Sequence, residues 1–70
     1  MSPLQPVAEQ ANAYHQQYLA GQLTVEDFKE LINDLNIGAQ IQQQSEDLVA
    51  DEMYRQILIG VYQAASALVS

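Results

Sequence analysis

The chain contains no cysteine and only two basic residues, one lysine and one arginine. The lack of cysteine excludes disulfides and thiolate metal sites, and the single histidine, His15, cannot hold a metal ion without help from carboxylates. Nine Asp and Glu residues leave a net charge of −7. Because so little positive charge is available to neutralise phosphates, we expect no direct binding to nucleic acid or to anionic membranes.

Long hydrophobic segments are missing too. Residues 1–6 have neither the positive region nor the apolar run of a signal peptide. The uncharged stretch at residues 57–69 is shorter than the roughly 17 to 25 apolar residues of a membrane-spanning helix. These absences predict a protein that does not span a membrane, is not secreted, and resides in the cytoplasm or inside a virion.

Patterns of catalytic residues are scarce. The sequence has no glycine-rich phosphate loop, no supported Ser/His/Asp arrangement and no pair of histidines one helical turn apart. The acidic residues recur at helical spacing, whereas a calcium loop needs oxygens that alternate within a flexible turn. His15 is expected to be solvated or packed at the edge of the core. We therefore predict that the protein is not an enzyme and has no catalytic, metal-binding or cofactor-binding residues.

Hydrophobic periodicity predicts an all-α fold, a small three-helix domain that spans residues 1–70, with helices at about 6–20, 24–36 and 46–69. In the first helix Pro6 suits the first turn, and Gly21 is expected to end the helix in a left-handed conformation. The apolar face of this helix is predicted to contain Val7, Ala11, Tyr14 and Tyr18.

The second helix has the clearest start signals. Thr24 is expected to cap its N-terminus with Asp27 three residues later, and Leu23 and Phe28 occupy the positions of a hydrophobic staple. Gly38 is predicted to close this helix. Because few residues separate the first two helices, they should form an antiparallel hairpin. The buried face of the second helix is predicted to contain Val25, Phe28, Leu31, Ile32 and Leu35.

The glutamine-rich segment at residues 39–44 allows either a connector or a helical extension. Ile41 lies off the apolar face of the following helix, which favours a break, and Ser45 is expected to cap the third helix. Asp51 and Arg55 have the spacing of a favourable i, i+4 ion pair. At about 36 Å the third helix would be twice as long as the second, at about 18 Å, and must extend beyond it.

The apolar surface of the third helix is unusually wide, about 160° around the axis against about 100° for an ordinary surface helix. Gly60, Ala64 and Ala67 form a strip of small side chains on its flank. This strip indicates close packing against another chain, an intramolecular crossing with the first helix, or simple tolerance of small residues. The predicted partner-binding residues are Tyr54, Ile57, Leu58, Gly60, Val61, Tyr62, Ala64 and Leu68.

Carboxylates concentrate on the second and third predicted helices. They either form a solvated face or imitate the phosphates of a nucleic acid and occupy a basic groove on a target enzyme. The predicted acidic face consists of Glu26, Asp27, Glu30, Asp34, Asp47 and Asp51.

These observations predict a small acidic helical module for protein–protein interaction or assembly. It would associate through its apolar C-terminal helix, as a homo-oligomer or by docking on a larger protein. The alternative function is that of an acidic inhibitor that acts by phosphate mimicry. Short chains of this style, rich in glutamine and alanine, are typical of phage genes for minor virion components or host-directed inhibitors.

Overall fold

The computed structural model describes residues 2–68, which form three main helices and one single-turn helix. Helix α1 spans Gln5–Leu19, α2 spans Val25–Asp34, α3 spans Ile37–Gln40 and α4 spans Leu48–Ala67. Residues 2–68 contain no β-strand. The predicted all-α fold is confirmed: α1 and α2 form a hairpin, and the long helix α4 packs on it. The predicted end of the third helix at residue 69 lies outside the described residues.

The end of α1 follows the predicted chemistry. Gly21 adopts the left-handed conformation, with φ of 80°. The amide of Gly21 donates to the carbonyl of Tyr18 at 3.0 Å, and the amide of Gln22 donates to the carbonyl of Gln17 at 2.8 Å. This pair of hydrogen bonds is the Schellman motif, which satisfies the last carbonyls of a helix before the chain turns.

The start of α2 also agrees with the prediction. The backbone amide of Asp27 donates to Oγ1 of Thr24 at 3.1 Å, which makes Thr24 the N-cap. Phe28 is fully buried and stacks on Tyr18, with the ring centroids 4.8 Å apart. The half-buried ring of His15 also stacks on Phe28, at 5.7 Å, so His15 is packed at the edge of the core. These aromatic contacts join α1 to α2.

The predicted end of α2 is wrong. Gly38 lies inside α3, and the left-handed residue after α2 is Asn36, with φ of 54°. Asparagine tolerates this conformation better than most residues because its short polar side chain can hydrogen-bond locally. The chain therefore turns two residues before the glycine, and α2 stops at Asp34.

The predicted break before the third helix is confirmed, but its predicted cap is wrong. Helix α4 begins at Leu48, and its N-cap is Asp47, whose side chain accepts a hydrogen bond from the amide of Ala50 at 3.1 Å. Ser45 lies two residues earlier, in the connector formed by residues 41–47 between α3 and α4, and its hydroxyl donates a hydrogen bond to Asp51, as described below.

The core lies where α4 crosses both helices of the hairpin. With 20 residues against ten, α4 is about 30 Å long and α2 about 15 Å, so α4 extends beyond α2 as predicted. Leu4 and Ala8, which the predicted face of α1 did not include, are fully buried. The buried apolar residues are Leu4, Ala8, Ala11, Phe28, Ile32, Ile37, Leu58, Val61 and Ala65.

Candidate interaction surface

One side of α4 carries an uncharged, solvent-exposed stripe. Val49 is 83% exposed, Met53 is 52% exposed and Ile57 is 37% exposed, at intervals of four residues. At 3.6 residues per turn, the members of this set lie within about 80° of one another around the helix axis. Gly60, Ala64 and Ala67 lie within the same sector, and Ala64 alone of the six residues is half-buried. We refer to the whole set as the α4 stripe, and it consists of Val49, Met53, Ile57, Gly60, Ala64 and Ala67.

Gly60 lies in the middle of the α4 stripe beneath open space. It is exposed, and a Cβ atom placed on it would have no neighbouring atom within 4 Å. The small residue is therefore not required by a crossing with α1, one of the three interpretations that the sequence allowed. Close packing against another chain and simple tolerance are the two that remain.

The structure removes two residues from the predicted partner-binding set. Leu58 and Val61 are buried in the core of the chain, so neither can anchor a partner in this conformation. Tyr54 and Leu68 are half-buried and pack against the same core. The middle of the wide apolar surface of α4 is therefore covered by the α1–α2 hairpin and contributes to the core of the chain.

Tyr62 is exposed but lies on the other side of the covered region. It follows Ile57 by five residues, or about 140° around the helix axis. There it separates two open clefts between α4 and the α2–α3 segment. One cleft contains Lys29 and Ser66, and the other contains Ile41. The predicted docking surface is thus split into two parts that one partner helix cannot contact together.

The predicted acidic face also changes in composition. Five of its residues are exposed, four of them on α2 and the fifth at the start of α4: Glu26, Asp27, Glu30, Asp34 and Asp47. Asp51 does not belong to it, because its side chain points into the protein and is only 1% exposed. Sequence spacing alone did not distinguish this carboxylate from its solvated neighbours.

Asp51 links α4 to the segment that precedes it. Its Oδ2 accepts a hydrogen bond from the amide of Ser45 at 2.7 Å, and its Oδ1 accepts one from the hydroxyl of Ser45 at 3.0 Å. The hydroxyl of Ser2 contributes most to lowering the pKa of Asp51, followed by the amide of Ser45, while burial acts in the opposite direction. The carboxylate therefore holds the connector against α4 through Ser45.

Arg55, one turn further along α4, also forms hydrogen bonds to the connector. Its Nε donates to the carbonyl of Ile41 at 2.9 Å, and its Nη2 donates to the carbonyl of Gln43 at 3.2 Å. Asp51 and Arg55 do not form the predicted direct ion pair, because both side chains bond to the connector, but the positive charge of Arg55 still helps to lower the pKa of Asp51. Arg55 instead pairs with Glu52 at 3.4 Å.

We also searched the described residues for metal sites and for membrane-spanning helices. No group of three or more His, Cys, Asp or Glu side chains is placed to hold a metal ion among residues 2–68. Over the same range, no helix has the length and apolarity needed to cross a membrane. No protein-family model, curated protein or solved structure matches the chain.

Proposed function

We propose that the protein is a small acidic module for protein–protein interaction or assembly, which associates with a second copy or with a larger protein through the α4 stripe. The observation that supports this function is the exposure of Val49, Met53 and Ile57 on one uncharged side of a well-formed helix. Helix-in-groove recognition uses apolar anchors that recur once per turn, as these do.

The exposure of the stripe is local and does not reflect a loosely packed chain. The accessible surface is 4568 Å², close to the value of about 4400 Å² expected for a folded monomer of this mass. Burying an apolar side chain of this size stabilises a complex by up to about 1.5–3 kcal/mol. Because Met53 and Ile57 are already partly buried, each of them can contribute only part of this free energy, and we expect a weak association.

A second candidate function rests on the four exposed carboxylates of α2: Glu26, Asp27, Glu30 and Asp34. Phosphate mimicry would place this row in a basic groove on a target enzyme. Such binding would weaken steeply as salt rises, whereas association through the α4 stripe would persist. The burial of Asp51 leaves the mimic one carboxylate fewer than the sequence indicated.

Met53→Glu tests the proposed role of the stripe. The variant should remain folded, because Met53 is half-exposed, and should lose association because a charge must then be desolvated in the interface. Leu19→Glu is the matched control, since Leu19 is 63% exposed and lies outside the stripe. Self-association is measured by sedimentation, and binding to a larger protein is measured by comparing co-purified partners of the two variants.

The expected result is association in the wild type and in Leu19→Glu, and none in Met53→Glu. Equal association of all three proteins would show that the stripe is not the contact surface. Absence of any complex that depends on the stripe, with itself or with another protein, would refute the proposed function.

A further inference from the structure

We infer that the α4 stripe is built to pair with a second copy of the same chain, antiparallel and centred on Gly60. This inference rests on the proposed function, because it names the partner that the stripe would take. In a two-fold symmetric dimer, each contact between residues i and j is repeated as a contact between j and i. The surface must therefore be complementary to its own rotated copy, and three properties of the stripe meet that condition.

The first property is the distribution of side-chain size. Two antiparallel helices that cross at Gly60 bring Met53 of one copy opposite Ala67 of the other, seven residues on either side of the centre. Ile57 lies three residues before Gly60 and Ala64 lies four residues after it, so Ile57 of one copy also lies close to Ala64 of the other. Large side chains of each copy thus lie over small residues of its partner.

The second property is the free space at the crossing point. Gly60 has no neighbouring atom within 4 Å of a Cβ position, so nothing in its own chain obstructs the approach of another backbone. With glycine opposite glycine, the helix axes can approach to about 8 Å, the lower end of the range for packed helices. Close approach lets the flanking Met53 and Ile57 side chains reach the partner helix.

The third property is the distribution of charge along the stripe. Glu46, Asp47 and Glu52 are exposed near its N-terminal end, while residues 57–67 contain no charged residue. A parallel pair would place the two acidic ends side by side, and like charges repel. An antiparallel pair places each acidic end beside the uncharged end of its partner, and it also sets the two helix dipoles in opposition.

The area of the stripe predicts a weak dimer. In the antiparallel pair, residues 53–67 of the two copies overlap over about 21 Å, whereas Val49 lies beyond this overlap. A helix is about 10 Å wide, so the contact buries roughly 200 Å² on each copy. Stable complexes bury about 800 Å² per partner. We therefore expect a concentration-dependent dimer with a dissociation constant between micromolar and millimolar.

Single cysteines test the geometry, because the chain has none of its own. Gly60→Cys, Met53→Cys, Ala67→Cys and the control Leu19→Cys are each treated with a short bismaleimide, and covalent dimers are measured by mass. Antiparallel pairing predicts efficient linkage of Gly60→Cys with itself and of Met53→Cys with Ala67→Cys in a mixture. Met53→Cys should not link to itself, because the two positions lie about 21 Å apart.

Gly60→Leu gives an independent test that leaves the helix intact. The two added side chains would meet at the crossing, so the dissociation constant should rise by more than about tenfold. Circular dichroism checks that the variant is folded. An unchanged dissociation constant would overturn a crossing at Gly60.

The outcomes separate this inference from the proposed function. Self-linkage of Met53→Cys, or linkage of all variants no better than Leu19→Cys, would overturn the antiparallel dimer. The proposed function would stand in that case if Met53→Glu still abolished a complex, with itself or with a larger protein. The proposed function would be refuted only if no complex, with a second copy or with a larger protein, depended on the α4 stripe.

Discussion

Asp51 is the residue whose role differs most from what its neighbours in the sequence suggest. It lies among exposed acids, yet it is 1% exposed and accepts two hydrogen bonds from Ser45. A buried carboxylate is tolerated only when hydrogen bonds replace its lost hydration. Ser45 supplies two of them here, so Asp51 stabilises the fold and is not available to a partner.

The stability of the protein should therefore depend on the ionisation of Asp51. Because its pKa is lowered in the folded state, the unfolded chain takes up the proton first as the pH falls. Asp51 contributes fully to the free energy of unfolding at pH values above about 3.9, the ordinary pKa of Asp. This contribution is lost as the pH falls through the lower pKa that Asp51 has in the folded state. Asp51→Asn removes this dependence and should lower the midpoint of urea unfolding at neutral pH.

The measurement is urea unfolding of the wild type and Asp51→Asn from neutral to strongly acidic pH. The two unfolding free energies should converge as the pH falls. Asp34→Asn is the control, because Asp34 is an exposed residue of α2. A constant difference between wild type and Asp51→Asn at all pH values would contradict the role assigned to the carboxylate.

Replacement by alanine should change the free energy of unfolding in opposite directions at Gly60 and at Gly21. Gly60→Ala should raise the unfolding free energy by up to about 1 kcal/mol, since alanine favours the helix and has room there. Gly21→Ala should lower it by about 1–2 kcal/mol, because φ of 80° is strained for a residue with a Cβ. Thermal unfolding at low concentration, where the chain is monomeric, measures both. A loss of stability in Gly60→Ala would mean that the space above Gly60 is not free.

At the scale of the elements, the ends of helices were predictable where a specific side chain or glycine defines them. Thr24 and Gly21 act as the sequence indicated. The ends next to the connector were not, because several residues compete there for the same roles. Asn36 took the left-handed position in place of Gly38, and Asp47 took the cap in place of Ser45. Ser45 stays ahead of the helix because its hydroxyl donates to Asp51, six residues away, and accepts from the amide of Asp47, and the sequence pattern showed neither contact.

The N-cap of α2 gives a test at this scale. Thr24→Ala removes the acceptor for the amide of Asp27 and should cost about 1 kcal/mol. For a domain of this size, that loss lowers the midpoint of thermal unfolding by about 4–8 °C. Thr24→Ser keeps the oxygen and should stay close to the wild type. Equal midpoints for Thr24→Ala and Thr24→Ser would show that the hydrogen bond does not stabilise α2.

At the scale of the whole molecule, the all-α fold was predictable, whereas the candidate site was predictable only in part. The apolar width of α4 correctly indicated room for more than one neighbour, but the pattern of a single helix does not show which part the hairpin covers. Leu58 and Val61 belong to the covered centre. Met53 and Val49 are exposed because they lie on the side of α4 that faces away from the core, whereas Asp51 and Tyr54 in the same turns face inward.

Association of the whole molecule must also overcome its own charge. Two copies with a net charge of −7 each repel one another, and salt screens that repulsion over a distance of about 8–10 Å at physiological strength. Dimerisation through an uncharged stripe should therefore strengthen as salt rises. Binding by phosphate mimicry should change in the opposite direction.

The most direct test is the mass of the wild type and of Met53→Glu in solution, measured by sedimentation across a concentration series at low and high salt. We predict a wild-type dimer that grows with concentration and persists at high salt, and a monomer for Met53→Glu under every condition. A monomeric wild type throughout would contradict self-association. A dimer that Met53→Glu leaves unchanged would contradict the assignment of the α4 stripe as the association surface.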